Sequence, residues 1–134
     1  AAADARERHA AWEGQADVVM ADVPCSGLGI IRKKPDIRYK NPKELAQLPL
    51  VQRAILENAC GYVRPGGTLV YSTCTVLPEE NEDVTGDFLD KHPEFEPVRT
   101  AFPLPVGPCP GQVTLWPQRH GTDGFYICRM RRKD

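Results

Sequence analysis

Several things are scarce in this 134-residue sequence, and each scarcity excludes a class of protein. There is no Cys-x-x-Cys pair; the five cysteines, Cys25, Cys60, Cys74, Cys109 and Cys128, are odd in number and far apart. That argues against a zinc site and against a small disulfide scaffold, and for free thiols in a reducing, cytoplasmic setting. No metal is expected. No run approaches the ~18 apolar residues of a membrane span. The Ala-rich start carries Asp4, Arg6, Glu7 and Arg8 at once, so it does not read as a secretory signal. An initiator methionine is also lacking, which reads as a chain that begins mid-domain. Net charge is only −1, so any affinity for nucleic acid must come from a local patch. Finally, no Gly-x-Gly run follows a strand and opens a helix, as a cofactor-cradling loop would.

What remains is an ordinary globular balance in one domain's length, with 41% apolar and 26% charged residues. The 13 prolines and 11 glycines lie mostly between the apolar runs, which suggests loops of defined shape. The central stretch is Ala21-Asp22-Val23-Pro24-Cys25-Ser26-Gly27. It follows an apolar run over 17–21 that reads as a short buried strand. A second strand is expected over 67–72 and ends in Thr73-Cys74-Thr75. Between them lies a helix. Asn41 can cap it, Pro42 suits the first position and Glu44 can reach back to the cap. Pro49 should interrupt it near Leu48 and restart it at Leu50. Beyond Pro49, residues Val51, Ile55, Ala59 and Tyr62 share one face, with Cys60 a buried small hydrophobe. Arg64-Pro65-Gly66-Gly67 stops the helix. Strand, crossover helix and strand make a right-handed unit with parallel strands. Cys25 and Cys74 then leave one sheet edge as neighbours, at the end where open α/β sheets hold ligands.

Elsewhere the expectations are plainer. Residues 1–16 read either as the end of an earlier strand near Asp4 or as a loop lead-in. Residues 27–40 form a loop or broken helix with Arg32, Lys33, Lys34, Arg38 and Lys40, a candidate phosphate grip beside Tyr39. Pro78 opens a helix whose first-turn acids, Glu79, Glu80, Glu82 and Asp83, complement the helix dipole. Val84, Phe88 and Leu89 supply its buried face, and His92-Pro93 ends it. An edge strand is expected over 95–98, a loop with little regular structure over 101–111, and strands over 112–116 and 125–130. Cys109 has no assigned role, Cys128 packs, and the tail Arg131-Arg132-Lys133 is solvated.

Two thiols and a carboxylate at a sheet edge define a chemistry. Cytosine C5 is a poor nucleophile, but a thiolate adding at C6 converts the ring to an enamine that reacts at C5. A carboxylate near the ring nitrogens can share the proton that favours addition. A second cysteine can help to eject the product. The residues alone do not choose this reaction over thiol hydrolysis or redox chemistry.

A resemblance narrows the choice. Asp22-Val23-Pro24-Cys25-Ser26-Gly27, followed by Ile31-Arg32-Lys33-Lys34-Pro35-Asp36-Ile37-Arg38-Tyr39, resembles a central motif of the Nol/Nop/Sun family of RNA cytosine-5 methyltransferases. The run from Gly66 through Ser72-Thr73-Cys74-Thr75 to Pro78-Glu79-Glu80-Asn81 is similar to the motif carrying that family's nucleophile, and Asp123-Gly124-Phe125-Tyr126 to its closing strand. The resemblance implies an α/β fold: the C-terminal half of a Rossmann-like methyltransferase sheet, parallel strands with crossover helices and a final antiparallel strand. It implies that Cys74 attacks C6, that Cys25 assists breakdown of the adduct, and that Asp22 lies between S-adenosylmethionine and the base. Asp4, Asp22 and Pro24 are the implied cofactor contacts. Arg32, Lys33, Lys34, Arg38 and Lys40 are the candidate RNA contacts by their charge, and ribosomal RNA is the substrate that the resemblance implies.

The family's glycine-rich loop and the acidic strand end that holds the ribose are missing here. Residues 1–134 are therefore expected to form a partial catalytic domain lacking its N-terminal cofactor-binding half. Alone it should bind S-adenosylmethionine weakly or not at all, and an exposed sheet edge favours self-association. Two alternatives stand beside this one: a DNA cytosine-5 methyltransferase, in which the Pro-Cys thiol attacks, and a non-catalytic RNA-binding domain.

Overall fold

The structure, a computed structural model, describes residues 2–134. One five-stranded sheet carries the architecture. Ala16–Asp22 (β1) pairs in parallel with Val63–Thr73 (β2), and Asp22 lies opposite Ser72 at the C-terminal end. The two are joined through the helices Pro42–Leu45 (α1) and Leu48–Tyr62 (α2). The last strand of the sheet, Phe125–Arg132 (β7), runs antiparallel to β2, as expected. On its far side β7 pairs with two short strands, Phe95–Pro97 (β3) and Gln112–Leu115 (β6). Between those two strands, Thr100–Ala101 (β4) and Pro108–Cys109 (β5) form a small separate hairpin. Glu82–Lys91 (α3) and the single turn Pro117–His120 (α4) complete the elements.

The core lies on one face of the sheet. Val19 and Ala21 of β1, Leu69 and Tyr71 of β2 and Cys128 and Met130 of β7 share that face and pack with Ile55, Leu56, Ala59 and Cys60 of α2 and Val84 and Phe88 of α3. Alternation along β2 and β7 follows from the pleat, whose period is two. Leu56 and Tyr71 are among the most completely buried side chains.

Several expectations need correction. The run over 17–21 is not a buried strand: β1 is an edge strand, and Val18 and Met20, on the face away from α2, are 61% and 69% exposed. A continuous apolar run suggests burial on both faces, but only one face here has a helix against it. Asn41 does cap α1, accepting from the Lys43 N–H, whereas the Glu44 side chain makes no return bond. The helix breaks at Ala46-Gln47, so Pro49 falls in the first turn of α2, where its missing N–H costs nothing. The stripe of α2 is centred on Ile55, Leu56 and Ala59, with Gln52 and Cys60 beside them; Val51 and Tyr62 are only partly buried.

Arg64–Gly67 do not simply precede a strand. They loop out within β2, where the register jumps from Ala16–Val63 to Val18–Thr68. The expected helix at Pro78 is divided into the tight turn Pro78–Glu80 and α3, and Glu80 and Asn81 are buried rather than solvated at the helix dipole. The loop over 101–111 contains part of the β4–β5 hairpin. The tail is held as well: Arg132 donates to the Val63 carbonyl and Lys133 to that of Pro93. At the other end, Asp4 lies in a turn, and among the described residues no strand precedes β1.

At Gly29 three motif segments meet backbone to backbone. The Gly29 N–H donates to the Cys74 carbonyl, and the Gly124 N–H donates to the Gly29 carbonyl. A side chain on Gly29 would collide with the Gly124 carbonyl, and a Cβ on Gly124 would lie 2.7 Å from the Gly29 Cα. Gly29→Ala is therefore expected to cost about 1–3 kcal/mol or more through overpacking. In contrast, Gly86, in α3 with open space around it, should gain about 0.5–1 kcal/mol on replacement by Ala. Urea unfolding of both variants against the parent checks the pair.

Candidate active site

The chain leaves β1 through Val23, whose N–H still donates to the Ser72 carbonyl, and turns at Gly27, which has φ of 77°. The segment between is held at the Pro24 carbonyl and at all the polar atoms of Ser26. Gln52 donates to the Pro24 carbonyl (2.9 Å) and to Glu80 Oε1 (2.8 Å). The Ser26 N–H donates to the same carboxylate oxygen (2.9 Å), and Ser26 Oγ donates to Thr75 Oγ1 (2.7 Å). Lys40 Nζ donates to the Ser26 carbonyl.

The segment after β2 is held in the same way. Thr73 Oγ1 donates to Asn81 Oδ1 (2.6 Å), and Asn81 Nδ2 donates to the Thr75 carbonyl (3.0 Å). Tyr71 donates its hydroxyl proton to the Glu80 carbonyl (2.6 Å). Ser26, Gln52, Thr73, Thr75, Glu80 and Asn81 are all buried, so these bonds form in a medium that strengthens them.

These two clamped segments present the thiols to each other. Cys25 Sγ and Cys74 Sγ are 3.0 Å apart, and the Cys74 N–H points at Cys25 Sγ (3.2 Å). Both residues are half-buried. Burial first, and then the hydrogen bond to the Cys74 sulfur, pushes the Cys25 thiol well above an ordinary cysteine. Cys25 is thus a thiol that holds on to its proton. The expectation that the two cysteines leave one sheet edge as neighbours is met.

Asp22, exposed at the end of β1, accepts a hydrogen bond from Ser72 Oγ (3.0 Å). Beside it runs a cleft of about 560 Å³, lined by Asp4, Asp22, Pro24, Met20, Val51 and Ile55 among others. The three residues singled out as cofactor contacts therefore share one cleft, with an apolar floor and a carboxylate from each of two segments. Its size suits a small organic ligand. The Asp4 carboxylate is already engaged: Arg6, through its guanidinium and then its backbone N–H, holds it down at about 2.

The five cations of 32–40 do not form one free patch. Arg32 and Lys33 both pair with Asp123, and Lys33, followed by Arg32, holds that carboxyl below the usual range. Lys40 is committed to Ser26. Arg38 lies over the ring of Tyr39 at 5.8 Å, and that ring is 81% exposed. Lys34 has no ion pair among the described residues.

Reading the sequence for chemistry missed Gln52, Glu80 and Asn81. Gln52 gave one signal, a polar residue at a core position of an otherwise apolar helix stripe. Glu80 and Asn81 lie in the motif that resembles the nucleophile-bearing segment, but an acid at a helix start already has a sufficient reason in the dipole, so no buried role was read for them.

Comparison with known proteins fits this geometry. The family model described as "16S rRNA methyltransferase RsmB/F" matches residues 1–131. A Bacillus subtilis protein named "Probable ribosomal RNA small subunit methyltransferase B" is 44% identical over 97% of this chain and 31% of its own length. Ribosomal RNA small subunit methyltransferase B of Thermus thermophilus is 41% identical over 88% of the chain and 30% of its own. Among solved structures, that of PH0851 superposes with a TM-score of 0.85 at 36% identity, over 97% of this chain and 30% of that one. The structure of NSun6 from Pyrococcus horikoshii with SFG gives 0.70 at 29% identity, over 90% of this chain and 31% of that one.

The fold is that of the Sun-type methyltransferases. The chain belongs to the 16S rRNA methyltransferase RsmB/F family. It spans less than a third of the length of the curated relatives it matches.

Two outcomes test the site. Iodoacetamide at mildly alkaline pH should label Cys74 well before Cys25, read by peptide mass spectrometry. Glu80→Ala, which leaves the Ser26 N–H and the Gln52 amide without their acceptor, should cost about 1–3 kcal/mol. Glu80→Gln, which keeps the Oε1 acceptor, should cost less in the same denaturant titration.

Proposed function

We propose that this chain supplies the nucleophile-bearing part of an enzyme that methylates C5 of a cytosine in RNA, ribosomal RNA in particular, with S-adenosylmethionine as donor. The observation that carries the reading is the 3.0 Å approach of Cys25 to Cys74 at the C-terminal edge of the parallel pair. Cys74 is the nucleophile. Its thiolate adds to C6, and the C5–C6 π pair moves onto C5, which becomes able to take a methyl group. S-adenosylmethionine would bring an electrophilic methyl on a sulfonium. Cys25, kept as a thiol, serves the second half of the reaction: a water molecule takes the C5 proton, the C5–H electron pair restores the C5–C6 double bond, the C6–S bond breaks, and the Cys25 thiol donates a hydrogen bond to the departing Cys74 sulfur.

Asp22, Asp4 and Pro24 line the cleft that fits the donor in size and polarity. The relative with SFG, an analogue of S-adenosylmethionine, supports that assignment. The glycine-rich loop expected for the donor's methionine end is not in these residues, so a complete donor site needs more chain than this one. Lys34 and Arg38, with Tyr39 for stacking, are the RNA contacts; Arg32, Lys33 and Lys40 add charge while holding Asp123 and Ser26.

The test is trapping on RNA containing 5-fluorocytosine, since fluorine cannot leave C5 as a proton does. These residues would replace the matching segment of the Bacillus subtilis relative, which supplies the rest of the domain. With S-adenosylmethionine present, the chimera should form a covalent RNA adduct on denaturing gels, with the parent relative run beside it as the control. Cys74→Ala should abolish it, and Cys25→Ala should let adducts persist on unfluorinated RNA. Loss with Cys25→Ala alone would move the nucleophile to the Pro-Cys thiol. No adduct from a chimera whose parent does trap would sink the catalytic reading and favour RNA binding alone.

A further inference from the structure

At the opposite end of β2 from the two thiols, a cavity of about 410 Å³ is lined by Arg8, Glu57, Cys60, His92, Glu94 and Arg132 among others. Glu57 and Cys60 stand three residues apart on the last turns of α2, so their side chains lie on one helix face. His92 caps the end of α3, and Glu94 leads into β3. His92 Nε2 is 2.9 Å from Glu57 Oε2, and Nδ1 is 3.0 Å from Glu94 Oε1. One face of the imidazole stacks on Phe88 with centroids 4.4 Å apart and an interplanar angle of 24°. Cys60 Sγ has only a carbonyl of its own helix, Glu57 O, as a partner. One ligand atom from each of Glu57, Cys60 and His92 lies within 4.8 Å of the other two.

We propose that Glu57, Cys60 and His92 bind one divalent cation of the zinc type, joining α2 to the end of α3 at the pole of the sheet remote from the cysteine pair. The donor set is the first argument. A thiolate, an imidazole and a carboxylate together suit Zn²⁺ and its first-row neighbours and do not suit Mg²⁺ or Ca²⁺. The second argument is the outer partner. Metal-bound histidines generally donate their other ring N–H to a carboxylate, and Glu94 stands ready on Nδ1 while Nε2 faces the other donors.

The distances make the third argument. Bonds of about 2.0–2.3 Å in a tetrahedron put ligand atoms roughly 3.3–3.8 Å apart. The cluster needs to close by about an ångström, and Glu57, exposed and free to change rotamer, can supply that. The fourth position opens to the cavity, where a water completes the shell. Charge permits it: Glu13, Glu57 and Glu94 outnumber the guanidiniums of Arg8 and Arg132, and those are engaged with Glu13 and with the Val63 carbonyl. Binding displaces the Cys60 proton to solvent, and no redox step is involved. The spacing rule that excluded a zinc site looked for Cys-x-x-Cys, whereas two of these ligands come from one helix and the third from another.

The competing account is an ion-pair cluster of His92 with Glu57 and Glu94 that holds no metal. Cobalt(II) separates the two, because a cobalt-bound thiolate gives a charge-transfer band in the near ultraviolet and tetrahedral cobalt gives strong visible bands. The titration uses the Cys25→Ala/Cys74→Ala double variant, which removes the rival thiol pair. We expect one cobalt per chain, both sets of bands, and displacement by zinc. Adding Cys60→Ala should remove the charge-transfer band. Glu57→Gln, a surface change that leaves the fold intact, should weaken binding at least tenfold, and Glu94→Gln about 10–100-fold. Absence of the thiolate band, its survival in the Cys60→Ala variant, or equal affinity in Glu57→Gln would each overturn the site.

Discussion

The parallel pairing of β1 with β2 is the constraint on which the rest depends. A parallel pair needs a crossover, and α2 provides it while burying its apolar stripe against both strands. Once Asp22 lies opposite Ser72, the residues that follow the two strands must emerge side by side. Two cysteines far apart in sequence become a pair 3.0 Å apart because of that register, and a slip in it would separate them.

Register brings the segments together, but buried hydrogen bonds give them shape. Gln52 and Glu80 form the centre of this network, since both serve the Pro24–Ser26 backbone from below. Such a network is unforgiving, because every member is desolvated whether or not its partner is present. Even here Gln52 Oε1 and Glu80 Oε2 have no protein partner among the described residues. The arrangement puts rigidity directly under the two thiols, whose spacing depends on it.

The two ends of the sheet divide the chemistry. The C-terminal end of β1 and β2 carries the cysteines, Asp22 and the cleft. The far end carries a cluster of carboxylates, an imidazole and Cys60 at the junction of α2, α3 and β3. Helices cover only one face of β1, which leaves Val18 and Met20 in solvent at the free edge. The apolar character of that strand is thus used on one side only within this chain.

Much was determined by local sequence. Apolar runs and turn residues marked the principal strands, Asn41 and Pro42 marked a helix start, and the Pro-Cys and Thr-Cys motifs marked the candidate nucleophiles, because these signals act between neighbours in the chain. The tertiary structure decided what depends on residues meeting from a distance. It buried Glu80 and Asn81, paired Arg32 and Lys33 with Asp123 and Lys40 with the Ser26 carbonyl, and made Gly29 a point of backbone contact with Cys74 and Gly124. It also left one face of β1 bare. The physical reason is the same in each case: charge, capping and hydropathy are properties of a residue and its near neighbours, whereas burial and pairing are properties of whatever the fold brings against it.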